Sequence, residues 1–561
     1  MAVEKFLLRI SCNHWLVVFG ILVAILLRIV TMLHPHSGQG NPPMYGDFEA
    51  QRHWMEITTN LPIKDWYRNT SDNNLQYWGL DYPPLTAYHM YLCGLIASCL
   101  SSNYTSLHNS RGYESDGLKL FMRMTVLISD TLVFIPSLVI FYFTSVKVYQ
   151  SVQMSSVKLK KQVSLLPASL STILGILYPG IILIDHGHFQ YNCVSLGLTT
   201  FSIICLIHRR YIFASIFFCL ALNYKQMELY HSLPFFFYLL STCIPKPGHK
   251  ALSGVISLFK IGITVILAFY FIWYPFISDF KTGLLVLHRL FPFDRGIFED
   301  KVANFWCILN VFYKLKTCDH SKLTKLCLFT TLSAVFPSSI DLFSRPNSRK
   351  FILALINSSL AFFLFSYQVH EKSILVVALP VLLYLPEDPF ICFWFLFISV
   401  FSMLHLFIKD DLLVAAVSLL MFFSVAFFVC MKYIYCITKN SNEQCPKLKF
   451  IQNILKDDIR DTKEENKLST LRSGNEMKQN SCFLANLLFF SSMFSSLIGC
   501  ISIFTFYLIM EPPSRYPDLF PLIISAYSCI HFIGFFLYFN FKQLQIPQDF
   551  GDIENVKLKG D

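Results

Sequence analysis

Charged residues are scarce in this chain of 561 residues. Asp, Glu, Lys and Arg make up 15% of it, against about 25% in an average soluble domain. Hydrophobic residues account for 54%, and Phe alone occurs 56 times. Many apolar runs reach the roughly 17–25 residues with which a helix crosses a bilayer. The sequence therefore excludes an ordinary soluble domain and predicts an all-α polytopic membrane protein.

Recognisable metal and disulfide patterns are also missing. The 17 cysteines include no CxxC pair and no Cys/His spacing typical of zinc sites. Most lie in apolar runs, where cysteine behaves as a small hydrophobic residue. We predict neither a disulfide framework nor a bound metal.

The net charge of +10 does not indicate nucleic-acid binding. Lys and Arg cluster in short loops between apolar runs, as cytosolic loops do. Lys5 and Arg9 precede the first span, about Trp15–Leu33, and predict a cytosolic N-terminus. Alternating the spans from there gives about fourteen transmembrane helices, with both termini cytosolic.

This topology predicts the domain boundaries. Residues 1–436 form the main membrane domain, in which 34–120 is the first lumenal loop with helices of its own. Residues 484–540 form C-terminal transmembrane helices, and 541–561 a cytosolic tail. The polar stretch 437–483 is predicted to be a disordered cytosolic loop.

Two apolar segments are not counted as full spans. A span at Pro83–Leu100 would put the following lysine-rich loop on the lumenal side, against the positive-inside rule. This segment is therefore expected to lie on the lumenal face. Val302–Leu315 could form a partial span.

The lumenal polar stretch Tyr45–Leu85 is the first candidate for chemistry. Asp47 and Glu49 lie just after the first span, and a carboxylate there could take a proton from a hydroxyl group as a general base. Nearby aromatic residues suit stacking on the apolar faces of sugars. The alternative is that Asp47 caps a helix starting at Phe48.

Further polar groups fall on the same predicted side. Asp185, His186 and His188 could ligate a metal, but hydrogen bonding that orients the loop is favoured, because an HxH pattern alone is a weak signal. Cationic residues of two other segments either bind a phosphate or are solvated helix ends. These residues are His370, Lys372, Arg289 and Arg295.

Several long motifs, in order from about Gly38 to Leu385, resemble one family. They are GDFEAQRHWMEI, LQYWGLDYPPLTAYH, SRGYES, LIDHGHFQYN, NYKQMELYH, HRLFPFDRGIFEDKVANFW and FLFSYQVHEKS. Together they resemble the endoplasmic-reticulum α-1,3-glucosyltransferases that use dolichyl phosphate glucose. Within that family the motifs are most similar to the branch that adds the first glucose to the nine-mannose oligosaccharide. The branch that adds the second glucose is the alternative.

The resemblance implies a C-type glycosyltransferase fold in the endoplasmic-reticulum membrane, with a lumenal active site. Because the sequence shows no convincing cluster of ligands, we expect no metal or other cofactor. The resemblance also implies dolichyl phosphate glucose as donor, dolichyl-pyrophosphate oligosaccharide as acceptor, inversion at the transferred carbon, and Asp47 as catalytic base. His370, Lys372, Arg289 and Arg295 are then expected at the donor phosphate. The residues expected to contact the acceptor or to organise the loops are Glu49, Arg52, His53, Trp54, Trp78, Asp81, Tyr82, Asp185, His186 and His188.

A lipid or solute transporter is the competing class. Intramembrane polar residues suit transporters, but such proteins show internal repeats and polar groups in the middle of helices. This sequence shows no repeat, and its polar groups gather at the predicted lumenal face.

Overall fold

The computed structural model describes residues 2–154, 166–244, 251–291, 301–438 and 473–547. Over these residues the regular elements are all helical. The first helices are α1 (Ala2–Met32), α2 (Gly46–Asn60), α3 (Pro84–Leu100), α4 (Asp116–Ser129), α5 (Ile135–Met154), α6 (Ala168–Ile176), α7 (Pro179–Ile181), α8 (Asn192–Ile207), α9 (Tyr211–Tyr224) and α10 (Ser232–Cys243). The later ones are α11 (Ala251–Ile277), α12 (Phe280–Leu290), α13 (Phe305–Phe312), α14 (His320–Ser344), α15 (Ser348–Phe365), α16 (Ile374–Tyr384), α17 (Pro389–Ser402), α18 (Leu404–Lys409), α19 (Leu413–Thr438), α20 (Ser473–Ile509) and α21 (Leu519–Gln545).

Membrane-spanning character is strong in this described part of the chain. Nine of its helical segments are long and apolar enough to cross a bilayer, and α3, α8, α9 and α17 are shorter apolar helices. The prediction of an all-α polytopic membrane protein is confirmed at this level. The number of about fourteen spans stays a prediction.

The spans differ in what surrounds them. The segment Ala168–Phe189 is almost entirely buried, whereas α11 exposes most of its apolar side chains. In a membrane, exposed apolar side chains face lipid without cost. The inner segment is irregular: Ile182–Phe189 is wound as a π-helix, and such π segments are frequent at functional sites.

The chain divides into two units, Met1–Phe423 with Ile524–Asp561, and Ser424–Ile523. The smaller unit holds most of α19, all of α20 and the start of α21. The candidate site described below lies within the larger unit.

Two segments left open by the sequence form short helices. α3 has 17 residues, and nothing in its packing decides whether it spans. α13 has only 8 residues, about 12 Å at 1.5 Å per residue, so it is too short for a full span. The predicted loop at 437–483 is largely outside the described residues, although α20 begins within it, and so is the tail from residue 548 on.

α2 is the element that positions the candidate site. It packs against α3, where Gly94 allows close approach: a Cβ there would lie 2.2 Å from the Thr59 hydroxyl. Eleven of the 15 residues of α2 are buried, including charged ones. A polar helix buried to this extent needs internal partners, and the loops that follow it supply them.

Candidate functional site

Asp47 lies in the first turn of α2, which begins at Gly46. Tyr45 is the N-cap residue and has left-handed backbone, with φ 56°. The alternative prediction, that Asp47 caps a helix starting at Phe48, is therefore wrong. The Asp47 amide donates to the Ser37 hydroxyl at 3.2 Å, and its carboxylate is near the positive end of the helix dipole.

Two donors and a histidine nitrogen meet the same oxygen of Asp47. Oδ2 accepts from Lys372 Nζ at 2.6 Å and from Gln190 Nε2 at 2.7 Å, and His188 Nε2 lies 3.1 Å away. Within the described residues no hydrogen bond reaches Oδ1. The side chain keeps a quarter of its surface exposed. One oxygen is thus anchored, and the other is left for an incoming group.

The charge of Asp47 is set by these neighbours. Burial raises the pKa of its carboxyl, but the ammonium of Lys372 and the imidazole of His188 outweigh burial and hold the pKa well below its usual value. Asp47 is therefore ionised at neutral pH, which a proton acceptor requires.

His188 joins Asp47 to a second carboxylate. Its Nδ1 lies 2.5 Å from Asp410 Oδ2, and its Nε2 lies 3.1 Å from Lys372 Nζ as well as facing Asp47. The side chains of His188 and Asp410 are each only 3% exposed. Asp410 follows α18, more than 200 residues from His188 in sequence, so the contact is purely tertiary.

A buried lysine orients the amide that holds Asp47. Lys225 Nζ donates to Gln190 Oε1 at 3.2 Å and to Asn192 Oδ1 at 2.5 Å. The amide NH2 of Gln190 is thereby turned toward Asp47. Asn192 in turn donates to Asp185 at 2.7 Å. Burial lowers the pKa of Lys225 to about 8, so this lysine is still charged at neutral pH.

Asp185 and His186 lie behind the site rather than in it. Asp185 accepts from the Cys193 amide at 2.6 Å and so fixes the start of α8. His186 Nε2 lies 2.7 Å from Asp130, which also pairs with Arg28 at 2.6 Å. Among the described residues no three His, Cys, Asp or Glu side chains are grouped as metal ligands. Asp185 and His186 thus make hydrogen bonds to neighbouring parts of the chain, and their loop-organising role stays a prediction.

Glu49, Arg52 and His53 belong to a buried ionic network on α2. Arg52 bridges Glu49 at 2.6 Å and Glu56 at 2.7 Å, and it is fully buried. His53 Nδ1 lies 3.2 Å from Glu56. Glu49 also accepts from the Tyr77 hydroxyl at 2.8 Å. The network ties α2 to the loop after it.

The aromatic residues of the loop form one wall of a cavity. Trp54 Nε1 donates to the Trp78 carbonyl at 2.9 Å, and its ring lies 4.9 Å from that of Tyr82. Lys225 Nζ lies 5.3 Å over the Tyr82 ring. Asp81 lines the same wall, and its carbonyl accepts from Gln226 at 3.1 Å.

The cavity has a volume of about 1390 Å³ and is lined by Asp47, Gln190, Lys225 and Lys372 together with the aromatic wall. Its backbone is strained at two lining residues, Trp78 and Gln368, with φ 48° and 58°. Each such left-handed residue costs about 1–3 kcal/mol, and such residues cluster at functional sites.

Three of the four predicted phosphate-binding cations line this cavity. Lys372 is held by Asp47, and His370 Nδ1 lies 3.0 Å from Glu371. Arg289 donates to the carbonyls of Gly79 at 2.9 Å and Leu80 at 3.3 Å, which docks α12 on the loop. The fourth cation, Arg295, lies outside the described residues.

Sequence reasoning missed Gln190, Lys225 and Asp410. The first two stand in short polar stretches between apolar runs, and that position was a usable signal. Asp410 stands in an Asp-Asp pair just after α18, and nothing in the sequence distinguishes it from Asp411; in the structure it is buried against His188.

Comparison with known proteins extends the similarity over almost the whole chain. The model of the ALG6, ALG8 glycosyltransferase family matches residues 17–538. The dolichyl pyrophosphate Man9GlcNAc2 alpha-1,3-glucosyltransferase of Gallus gallus is 46% identical, over 94% of this chain and 96% of its own. The protein of the same name from Mus musculus is 43% identical over 94% and 96%. A probable one from Drosophila melanogaster is 43% identical over 92% and 96%.

Proposed function

Because this chain belongs to the ALG6, ALG8 glycosyltransferase family, we propose that it acts as an α-1,3-glucosyltransferase in which Asp47 is the catalytic base. The acceptor is dolichyl-pyrophosphate-linked Man9GlcNAc2, the compound in the names of its relatives. The donor is dolichyl phosphate glucose. The observation that carries the proposal is the carboxylate of Asp47 in the wall of the cavity, with one oxygen anchored and the other open.

Asp47 takes the proton from the acceptor hydroxyl while that oxygen attacks C1 of glucose. Inversion from a β-linked donor to an α-glucoside requires the base and the leaving phosphate on opposite sides of the sugar, as on the base side of inverting glycosidases. The hydrogen bond of Gln190 fixes the direction of the carboxylate, and Lys372 does so until the donor phosphate draws on this lysine. Such fixed positioning lowers the barrier, because it removes the entropy loss of orienting the base.

The leaving phosphate is stabilised by the cations of the cavity. Lys372 and His370 approach from the segment before α16, and Arg289 from α12. Cations at the point where charge develops stabilise the transition state. No strong acid is needed, because a phosphate is already a good leaving group.

The donor lipid has a route beside these cations. Leu285 of α12 and Leu328 of α14 line the cavity and also expose 41% and 60% of their surface. Apolar residues that face both the cavity and the exterior suit a lipid chain that enters from the membrane.

The proposal also covers the fold, the membrane and the orientation of the protein in it. The protein has a C-type glycosyltransferase fold with about fourteen spans, resides in the endoplasmic-reticulum membrane, and opens its cavity to the lumen, with both termini cytosolic.

The two competing functions fit less well. The names of the similar relatives give the unglucosylated Man9GlcNAc2 acceptor, which favours addition of the first glucose over the second. A transporter is disfavoured by membership of a glycosyltransferase family.

The test is an assay of the purified full-length protein with dolichyl phosphate glucose and acceptors that carry no glucose or one. Wild type should use the first acceptor only, and a chelator should leave the rate unchanged. Asp47→Asn should lose activity by at least about 10²-fold while remaining folded. Asp72→Asn, the same change at an exposed residue of the loop, is the control. Normal turnover by Asp47→Asn removes Asp47 as base, and a strict need for a divalent cation contradicts the metal-free mechanism.

A further inference from the structure

Asp47, His188 and Asp410 form a continuous line of proton-binding groups that leads out of the cavity. Asp47 Oδ2 lies 3.1 Å from His188 Nε2, and His188 Nδ1 lies 2.5 Å from Asp410 Oδ2. Asp47 lines the cavity, whereas His188 and Asp410 are not among the lining residues described. The last two side chains are therefore placed to act on Asp47 and not on a substrate.

We propose that His188 and Asp410 form a proton relay, in which His188 Nε2 receives the proton that Asp47 takes from the acceptor and Asp410 stabilises the imidazolium that results. The relay rests on the proposed role of Asp47 as base. His188 and Asp410 are positioning and proton-holding residues, since neither touches the reacting atoms.

The hydrogen bonds select the tautomer that the relay needs. Asp410 accepts from Nδ1–H, so the lone pair of neutral His188 is on Nε2, where Lys372 Nζ lies at 3.1 Å. When the donor phosphate draws on Lys372, Nε2 becomes available to the O–H of a protonated Asp47. A carboxylate that fixes a histidine tautomer in this way stabilises the imidazolium without being protonated itself.

In the transfer, each bond that breaks is matched by a bond that forms. The acceptor O–H bond breaks as its oxygen bonds to C1 of glucose, and the C1–O bond to phosphate breaks with its electron pair on dolichyl phosphate. The proton passes to Asp47 Oδ1, rotation of the carboxyl group brings that O–H to His188, and the proton passes on to Nε2, while the hydrogen bond to Asp410 is kept throughout. This second transfer returns Asp47 to the ionised state, and the proton leaves His188 to water when the product departs, which returns the imidazole to its neutral form.

Other charged groups act on the relay from each side. Lys372 faces His188 and Asp47 together. Arg123 interacts electrostatically with Asp410, and His36 with His188. Burial is the main reason that the pKa of His36 is lowered, to about 3, so His36 stays neutral and does not compete for the proton above that pH.

The test compares Asp410→Asn with Asp411→Asn in the full-length enzyme. Asp411 is the exposed neighbour with left-handed backbone, φ 55°, which asparagine tolerates. Asp410→Asn should lower kcat by about 10–100-fold with both KM values unchanged. The acidic limb of its kcat profile should move at least about one pH unit lower, because the imidazolium has lost its carboxylate partner. Asp411→Asn should match wild type in kcat, in both KM values and in the position of the acidic limb.

A second variant keeps the test decisive if Asp410→Asn does not fold. Asp410→Glu retains the charge and should keep the acidic limb at the wild-type pH with an intermediate kcat. A limb that stays in place in Asp410→Asn, or that moves down in Asp410→Glu, overturns the relay. If Asp47→Asn is inactive while the acidic limb of the kcat profile of Asp410→Asn stays in place, the relay is refuted and the role of Asp47 as base is not. If Asp47→Asn is active, the role of Asp47 as catalytic base is refuted.

Discussion

Lys372 neutralises Asp47 in the cavity wall, and its removal tests both the base and the phosphate pocket. Lys372 Nζ lies 2.6 Å from Asp47 Oδ2 and its side chain is 10% exposed. Lys372→Met keeps the length and apolar stem of the side chain but deletes the charge. The carboxylate then retains Gln190 and His188 as partners.

The size of the effect follows from the loss of one close cation. An opposite charge at this range lowers a carboxyl pKa by about 1–3 units, or about 1.4–4 kcal/mol at 1.36 kcal/mol per unit. Its removal raises the pKa of Asp47 from its depressed value by that amount. Asp47 and His188 must both start without the proton, and Lys372 faces both of them, so its loss should move the acidic limb of the kcat profile to higher pH by about 1–3 units. The KM for dolichyl phosphate glucose should also rise, because a phosphate contact is lost.

The assay is initial rates across pH at saturating acceptor. Lys372→Arg, which retains the charge, should keep the limb near its wild-type position. Lys64→Met deletes the charge of an exposed lysine in the same loop as Asp47 and should change nothing. If Lys372→Met has the wild-type acidic limb and donor KM, neither the ion pair with Asp47 nor the phosphate contact governs the reaction.

Two further substitutions test the support of α2. Arg52→Met leaves Glu49 and Glu56 buried without a cation. The free energy of unfolding in detergent should therefore fall by about 3–5 kcal/mol, as when one partner of a buried ion pair is removed. Gly112→Ala places a Cβ 2.4 Å from the Tyr45 ring and should lower kcat by about 10-fold or more, because displacement of Tyr45 shifts the first turn of α2 and small shifts of a base are costly.

Each of these two changes has a matched control. Arg68→Met removes a partly exposed pair with Asp279 at 3.8 Å and should cost less than about 1 kcal/mol. Gly40→Ala meets the same left-handed strain but no atom within 4 Å, so it isolates the contact with Tyr45. If Arg52→Met and Arg68→Met are equally stable, the buried ion pairs of Arg52 do not stabilise the protein. If Gly112→Ala and Gly40→Ala have equal kcat, the contact between Gly112 and Tyr45 does not position α2.

Local sequence pattern predicted the helices better than the site. Apolar runs longer than about 17 residues declare a span by themselves, and the burial of polar residues in α2 agrees with a loop that folds on itself. Asp47 also stood out, because a carboxylate just past a span is costly unless it has a role. These inferences need only neighbouring residues.

The partners of Asp47 could not be predicted in the same way. Lys372 is 325 residues away, and Asp410 meets His188 across 222 residues. No spacing rule operates over such distances. Polar patterns in the sequence brought Lys372 and His188 into view, but the pairing of Asp410 with His188 required the tertiary structure.

Within the π-helical segment Ile182–Phe189, the loss of His186 and the loss of His188 are expected to have different consequences. The segment turns His186 toward Asp130 and Arg28 between the spans, and His188 toward Asp47 and Asp410. Loss of His186 disturbs a buried charge cluster, so the cell would hold less of the protein. Loss of His188 removes a contact of Asp47 in the cavity wall, so we expect this change to lower the rate of transfer.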